Sequence, residues 1–166
     1  PVIEDNYEQI MSEQTSYQIT SFLEGVVKRG TGKKLKELKL NLAGKTGTTN
    51  ENTDAWFVGF TSDLVIGVYV GMDNPKPLGK FETGSKAALP IFREFVEKAI
   101  KKSDARPFKV PKKMTLMVID PLTGEKAKFN SKNTIIEAYK SSNVLNGKVL
   151  YSDNNRLDAN NILEFY

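Results

Sequence analysis

The sequence contains no cysteine and no histidine. Without cysteine the chain has neither a disulfide framework nor a thiolate nucleophile. Without histidine it can build neither the usual zinc site of His and Cys ligands nor a Ser-His-Asp triad. Acid and base chemistry therefore falls to lysine, aspartate, glutamate or tyrosine. We predict no metal and no cofactor.

Long hydrophobic runs are missing too. The longest apolar run, residues 64–71, is far too short to cross a bilayer, and no N-terminal signal peptide is evident. With 166 residues, 39% of them hydrophobic and 27% charged, the composition is that of a globular protein with one domain, or one domain and an appendage. The first residue is Pro1 rather than Met, so we expect a piece of a longer protein.

The net charge of +4 is unevenly distributed. Residues 1–100 carry 12 basic and 13 acidic side chains, whereas residues 101–166 carry 12 and 7. Such a surplus can attract nucleic acid or another anionic surface. Nucleic-acid modules interleave their charges with stacking aromatics, however, and only Phe108 and Phe129 lie near these lysines. We therefore interpret the surplus as a solvated face and predict no nucleic-acid partner.

Two stretches have the apolar period of amphipathic helices. The first has Ser12 as its cap and stops at Gly30, and its apolar face consists of Ile19, Phe22, Leu23, Val26 and Val27. The second runs from about Ala88 to Lys101, and its apolar stripe consists of Phe92, Phe95, Val96, Ala99 and Ile100.

Three strands are predicted between the helices, over residues 42–49, 55–61 and 64–72, the last two joined by a tight turn at Ser62 and Asp63. The third strand is apolar on both faces, which predicts a strand inside a sheet that is covered on both sides. A meander supplies it with only one neighbour, so we expect its other edge to be open.

Beyond Lys102, prolines and mixed charges indicate a linker. Residues 114–120 and 125–129 predict a small β-hairpin around a turn at 121–124, and the tail from Ser141 predicts loop or disorder. The expected fold class is α+β, with a three-stranded antiparallel meander packed by amphipathic helices and a C-terminal hairpin appendage. We assign a domain portion to residues 1–103 and the linker, hairpin and tail to residues 104–166.

Residues 43–50 read AGKTGTTN, and the Gly-Lys-Thr within them is typical of a phosphate-binding P-loop. That motif needs another glycine five residues before Gly44, where this chain has Lys39. It also needs a helix to follow, whereas residues 55–60 predict a strand. The P-loop interpretation is therefore rejected.

The residues Lys45, Thr46, Gly47 and Thr48 instead suit an extended peptide that ends in a carboxylate. Side chains alternate along a strand, so the two threonine hydroxyls project to the same side. Lys45 adds a positive charge, and Gly47 lets a ligand backbone approach closely. For the tetrapeptide alone, an ordinary strand with a glycine kink is the simpler interpretation.

The surrounding segments decide between the two. KTG is a signature motif of penicillin-binding proteins and class A β-lactamases. Further matching segments lie at residues 29–32, 43–49, 54–60, 67–74, 87–92, 120–124 and 136–139. Over roughly residues 10–140, the sequence resembles the C-terminal half of the transpeptidase domain of bifunctional, class A penicillin-binding proteins of the 1A type.

This resemblance implies a serine acyl transferase that cross-links peptidoglycan stem peptides and is acylated by β-lactams. It implies catalytic roles for Lys45, which positions and polarises the site, and for Thr48, whose N–H is an oxyanion-hole donor. It also implies that the substrate carboxylate binds to the hydroxyls of Thr46 and Thr48, beside Lys45 and Gly47. In the family the sheet has five strands, and the parent protein is anchored at the periplasmic or extracytoplasmic face of the cytoplasmic membrane.

The nucleophile of that family is a serine followed three residues later by lysine, and no serine of this chain meets the requirement. Ser152-Asp153-Asn154 spells the family's second motif, but it follows KTG instead of preceding it. We therefore expect a fragment that is inactive alone and whose partner is the missing N-terminal half of the domain. Its open strand edge at residues 64–70 predicts self-association. The alternative is a naturally truncated, non-enzymatic module that binds wall peptides or a protein partner.

Overall fold

The computed structural model describes residues 8–145 and 148–149 of the 166-residue chain. Its α-helices are α1 (Glu13–Arg29) and α2 (Ala88–Ala99). Its strands are β1 (Ala43–Thr48), β2 (Ala55–Phe60), β3 (Val65–Val70), β4 (Met114–Ile119), β5 (Ile135–Lys140), β6 (Val144–Leu145) and β7 (Lys148–Val149). Short 3-10 helices cover Lys33–Leu38, Asn50–Asn52 and Ser141–Asn143. The predicted α+β class is confirmed.

The described residues divide into two compact units. The sheet unit is Thr20–Lys109, and the hairpin unit comprises described residues up to Ile19 and from Val110 onward. Helix α1 therefore begins in the hairpin unit and ends in the sheet unit. The predicted functional division between residues 103 and 104 stays a prediction.

The sheet of the sheet unit is an antiparallel meander with the strand order β1-β2-β3. The predicted strands and the tight turn before β3 are confirmed. At that turn the Thr61 N–H donates to the Leu64 carbonyl over 2.9 Å, and the Thr61 hydroxyl accepts from the N–H groups of Asp63 and Leu64. The hydroxyl thereby satisfies backbone donors that a two-residue connection leaves unpaired.

The core of the sheet unit lies where α2 covers β2 and β3. The rings of Phe57 and Phe92 are fully buried and meet edge to face, with centroids 4.7 Å apart. Around them lie the buried side chains of Val27, Leu35, Leu42, Ala55, Ala88, Leu89 and Val96. This face of the sheet is therefore fixed by apolar packing.

The helices follow the predicted spans, but their buried stripes are narrower than the sequence indicated. Ser12 caps α1 as predicted, since its Oγ accepts from the Thr15 N–H over 3.2 Å. Of the predicted α1 face, Val26 and Val27 are buried, whereas Ile19 and Phe22 are 44% and 46% exposed. On α2 the expectation for Phe95 is wrong. It is 48% exposed, because the helix turns Ala88, Leu89, Phe92 and Val96 toward the core instead.

Strand β3 corrects a second expectation. The sequence predicts that both faces of β3 are covered, but Val65 and Tyr69 on one face are 70% and 50% exposed. Only alternate residues of β3 turn toward the core, where they are partly buried. Apolar residues on both faces of β3 therefore do not mean that both faces are buried. The predicted open edge of β3 is confirmed, since no described strand pairs with its outer edge.

The predicted hairpin of the hairpin unit has the wrong second strand. The turn forms as expected, since the Gly124 N–H donates to the Asp120 carbonyl over 2.8 Å. Residues 125–129 then make only one isolated bridge, between Lys126 and Ile119, and β4 pairs along its whole length with β5. Ile119 pairs with Lys126 across one edge of β4 and with Ile135 across the other, so residues 125–129 and β5 lie on different edges, and only β5 forms a strand.

The predicted linker is irregular but packed within the sheet unit. Phe108 meets the Phe60 ring edge to face at 5.6 Å, and Arg106 forms an ion pair with Asp63. Ala105 is buried, and its carbonyl accepts from the Asn41 side chain over 2.8 Å. Most of the predicted polar tail, including the Ser152-Asp153-Asn154 string, lies outside the described residues. In the described part no helix combines the length and apolarity that a membrane span requires.

Candidate functional site

The four residues predicted to form the site lie together on β1, an edge strand of the described sheet. In the ladder with β2, Thr46 opposes Phe57 and Thr48 opposes Ala55. Directly opposed residues of an antiparallel pair project to the same face. The two threonines therefore share the face that carries the buried side chains of Phe57 and Ala55, as their spacing predicted.

Lys45 lies on the opposite face of β1. It pairs with Val58, and Gly47 pairs with Trp56. Lys45 is exposed, and its Nζ donates to the carbonyl of Thr46 over 3.0 Å. Within the described residues no carboxylate pairs with this ammonium group. The charge is therefore available to an anionic ligand that reaches the edge of β1.

Each threonine hydroxyl has one partner within the sheet unit. The hydroxyl of Thr46 lies 3.0 Å from that of Thr31, which belongs to the loop after α1. The hydroxyl of Thr48 accepts from the backbone N–H of Gly84 over 3.0 Å. Thr31 and Gly84 were not predicted as site residues. The Gly-Thr-Gly sequence at residues 30–32 is a usable signal for the first, whereas a backbone donor such as Gly84 leaves no side-chain signature.

Gly84 is packed directly against the strand pair. It is buried, and a Cβ placed on it would lie 2.5 Å from the carbonyl oxygen of Gly47 and closer still to that of Trp56. Only a residue without a side chain allows this approach. The loop that carries Gly84 thus fixes the position of β1 at Gly47 and Thr48.

These observations describe an edge strand with two hydroxyls on one face and an exposed lysine on the other. Comparison with known proteins supplies the family. Residues 4–97 match the family model of the penicillin binding protein transpeptidase domain. The chain belongs to this transpeptidase family.

Relatives of the 1A type match most of the chain. Identity to penicillin-binding protein 1A of Rickettsia conorii is 48% over 136 residues, which are 82% of this chain and 17% of that protein. Identity to penicillin-binding protein 1A of Pseudomonas aeruginosa is 41% over 135 residues, covering 81% and 16%. The chain thus spans less than a fifth of the length of these relatives.

A solved structure agrees with the sequence matches. The crystal structure of penicillin-binding protein 1A from Haemophilus influenzae superposes with a TM-score of 0.69 at 28% identity, covering 79% of this chain and 21% of that chain. The predicted membership in the transpeptidase family of penicillin-binding proteins, with relatives of the 1A type, is confirmed.

In this member of the transpeptidase family, the carboxylate of Asp54 accepts hydrogen bonds that hold the turn after β1. Asp54 accepts hydrogen bonds from the hydroxyls of Tyr69, Thr53 and Thr49 over 2.7, 3.0 and 3.2 Å. The Tyr69 hydroxyl, and next the Thr53 hydroxyl, hold the pKa of Asp54 below its ordinary value. The same bond raises the pKa of Tyr69. Near neutral pH, Asp54 is therefore an ionised carboxylate and Tyr69 a neutral phenol. Their hydrogen bond, together with the bond from Thr49, connects the end of β1 to β3.

Among the described residues there is no candidate metal centre. No group of three or more His, Cys, Asp or Glu side chains in residues 8–145 and 148–149 is arranged to hold an ion.

Proposed function

We propose that this chain supplies one side of a peptidoglycan D,D-transpeptidase site, the side that binds the terminal carboxylate of a stem peptide. The observation that carries the proposal is the pair of hydroxyls of Thr46 and Thr48 on one face of an edge strand, in the KTGT segment of a penicillin-binding transpeptidase. An edge strand can pair with an extended peptide, and hydroxyl donors suit the carboxylate at its end.

Each residue of the segment has a role in this proposal. Thr46 and Thr48 bind the carboxylate, and Gly47 lets the peptide backbone approach. Lys45, exposed and without an acidic partner among the described residues, positions and polarises the site. The N–H of Thr48 donates to the oxyanion that forms when the peptide carbonyl is attacked. A donor already aimed at that oxygen needs no reorganisation during the reaction, which makes it one of the larger catalytic terms.

We propose that the nucleophile comes from outside this sequence. A serine activated by a lysine one helical turn later is needed, and none of the serines here has lysine at that position. The chain spans less than a fifth of the matched 1A proteins, so a longer protein of this kind has ample sequence in which such a serine can lie. The chain alone is therefore inactive, and the parent protein acts at the extracytoplasmic face of the cytoplasmic membrane.

Labelling with a fluorescent penicillin tests this assignment. We expect stable covalent labelling of the protein that contains this chain together with its upstream sequence, and none of the chain alone. The same longer protein with Lys45→Ala should be labelled far more slowly. Covalent labelling of the isolated chain would contradict the proposal. A natural coding sequence that begins at this segment, with stem-peptide binding but no labelling, would favour the non-enzymatic binding module instead.

The open edge of β3 leads to a proposal on self-association. Val65–Val70 contains no charged residue and no proline, and its outer edge has no partner strand within the described residues. Natural proteins usually protect such edges with charge or irregularity, because an exposed strand can pair with another chain. We propose that two copies of the chain pair through this strand.

A charge on β3 should prevent that pairing. Gly67 is the suitable position, since a Cβ added there meets no atom within 4 Å. The unaltered chain should show a concentration-dependent dimer in sedimentation velocity, Gly67→Lys should remain monomeric, and Gly67→Ala should behave as the unaltered chain. A monomer at every concentration in the unaltered chain, or an equal dimer in Gly67→Lys, would exclude association through β3.

A further inference from the structure

The loop at residues 30–32 is held rigidly against α1. The N–H groups of Gly30 and Gly32 both donate to the Val26 carbonyl over 3.0 Å. A Cβ on Gly30 would lie 2.9 Å from the Val26 Cα, and one on Gly32 would lie 3.2 Å from the Val26 oxygen. Two glycines in close backbone contact thus flank Thr31 and fix the position of its backbone. The Thr31 hydroxyl is directed at Thr46.

The hydrogen-bond partners of the Thr46 and Thr48 hydroxyls determine which hydroxyl protons remain available to a ligand. A backbone N–H can only donate, so the Thr48 oxygen accepts from Gly84 and its own proton is free to point elsewhere. In the pair of Thr31 and Thr46, one proton is used between the two oxygens and the other remains. When Thr31 donates, the Thr46 proton is free as well. Both hydroxyls can then present a donor to the same ligand.

We propose that Thr31 and the Gly84 N–H are positioning groups that orient the hydroxyls of Thr46 and Thr48 as donors toward a carboxylate. This inference rests on the proposed function, since it assigns the source of carboxylate selectivity at that site. A carboxylate only accepts hydrogen bonds, whereas an amide at the same place presents donors of its own. Hydroxyls held as donors therefore select the acid over the amide.

The test uses the intrinsic fluorescence of Trp56, the single tryptophan of the chain, which opposes Gly47 on β2 and is 43% exposed. The probe is a short peptide ending in D-alanyl-D-alanine, compared with the same peptide as its C-terminal amide. For the unaltered chain we expect clearly tighter binding of the acid. Thr31→Val should weaken acid binding about tenfold, in the range of one hydrogen bond to a charged group, and leave amide binding unchanged.

Two further variants separate positioning from general structural damage. Thr31→Ser retains the hydroxyl and should restore the acid preference. Thr115→Val removes a hydroxyl from another exposed pair, Thr115 with Ser141 at 3.0 Å in the hairpin unit, and should change neither affinity. If Thr31→Val keeps the full acid preference, the positioning role is wrong and the proposed function stands. If the unaltered chain does not prefer the acid, the carboxylate site itself is wrong.

A measurement without ligand tests the positioning role of Thr31 independently of peptide binding. The side-chain torsion of Thr46, measured from NMR couplings, should be a single rotamer in the unaltered chain and in Thr31→Ser. In Thr31→Val it should become an average of rotamers, because the partner that fixes the hydroxyl is gone. An unchanged, single rotamer in Thr31→Val would overturn the role of Thr31 whatever the peptide does.

Discussion

Replacing Gly84 by alanine is expected to lower the free energy of unfolding of the sheet unit by about 3 kcal/mol, the upper part of the range for overpacked positions. The added methyl group would overlap the carbonyl oxygens of Trp56 and Gly47, and it would lie at the place where β1 and β2 pair. Backbone atoms in a sheet cannot rotate away as a side chain can. Either the loop or β1 must move, and the bond between Gly84 and Thr48 would be lost with it.

The measurement is urea unfolding followed by the fluorescence of Trp56, which lies in the sheet unit and reports on it alone. Gly67→Ala is the matched control, since it adds the same methyl group to a position with no atom within 4 Å. The control should change the free energy of unfolding by about 0.5 kcal/mol or less. A Gly84→Ala variant as stable as that control would show that the loop is not fixed against β1.

The regular elements of the sheet unit could be predicted because their signals are local. Strand β2 buries Ala55, Phe57 and Gly59 and exposes the residues between them, which is the period of a half-buried strand. The exposure of β3 could not be predicted in the same way. Its sequence reports apolar side chains on both faces, but burial depends on what packs against those faces, and periodicity contains no information on that.

The errors in the hairpin unit have a related cause. Sequence proximity favoured residues 125–129 as the partner of β4, because a short turn precedes them. The observed partner β5 begins at Ile135, after residues that contribute only one bridge. Both segments lie against β4, on its two edges, but the lysine-rich residues 125–129 do not continue as a strand, whereas β5 pairs along the whole of β4. A short turn therefore places a segment beside a strand, but it does not determine how far the pairing extends.

In the candidate site, too, the residues that are contiguous in the sequence could be predicted, and the partners from distant segments could not. Its central residues, Lys45 to Thr48, are recognisable because they are contiguous and form a known motif. Thr31 lies 15 residues before its partner Thr46, and Gly84 acts through its backbone. Long-range contacts of this kind produce neither a periodic pattern nor a distinctive composition in the sequence. They become visible only when the fold brings the loop after α1 and the loop before α2 to β1.

Replacing Phe92 by alanine should destabilise the sheet unit at least as much as Gly84→Ala does. The cause is a cavity in the core instead of an overlap of atoms. Phe92 is fully buried, and its ring meets that of Phe57 edge to face at 4.7 Å. The substitution removes a ring and leaves a cavity beneath β2, which should lower the free energy of unfolding of the sheet unit by about 3 to 5 kcal/mol. Phe95→Ala is the control on the same helix. That side chain is 48% exposed, and its loss should cost about 1 kcal/mol or less.

Gly59 provides a decisive test of this packing. A Cβ on Gly59 would lie 2.5 Å from the Phe92 ring and 2.7 Å from the Phe57 ring, so Gly59→Ala alone should be destabilising. In the Phe92→Ala background the cavity gives the new methyl group room. Gly59→Ala should then cost at least 1 kcal/mol less than it does alone, which is a coupling of the size expected for residues in contact. Additive effects of the two substitutions would mean that the Phe92 ring does not occupy the space above Gly59.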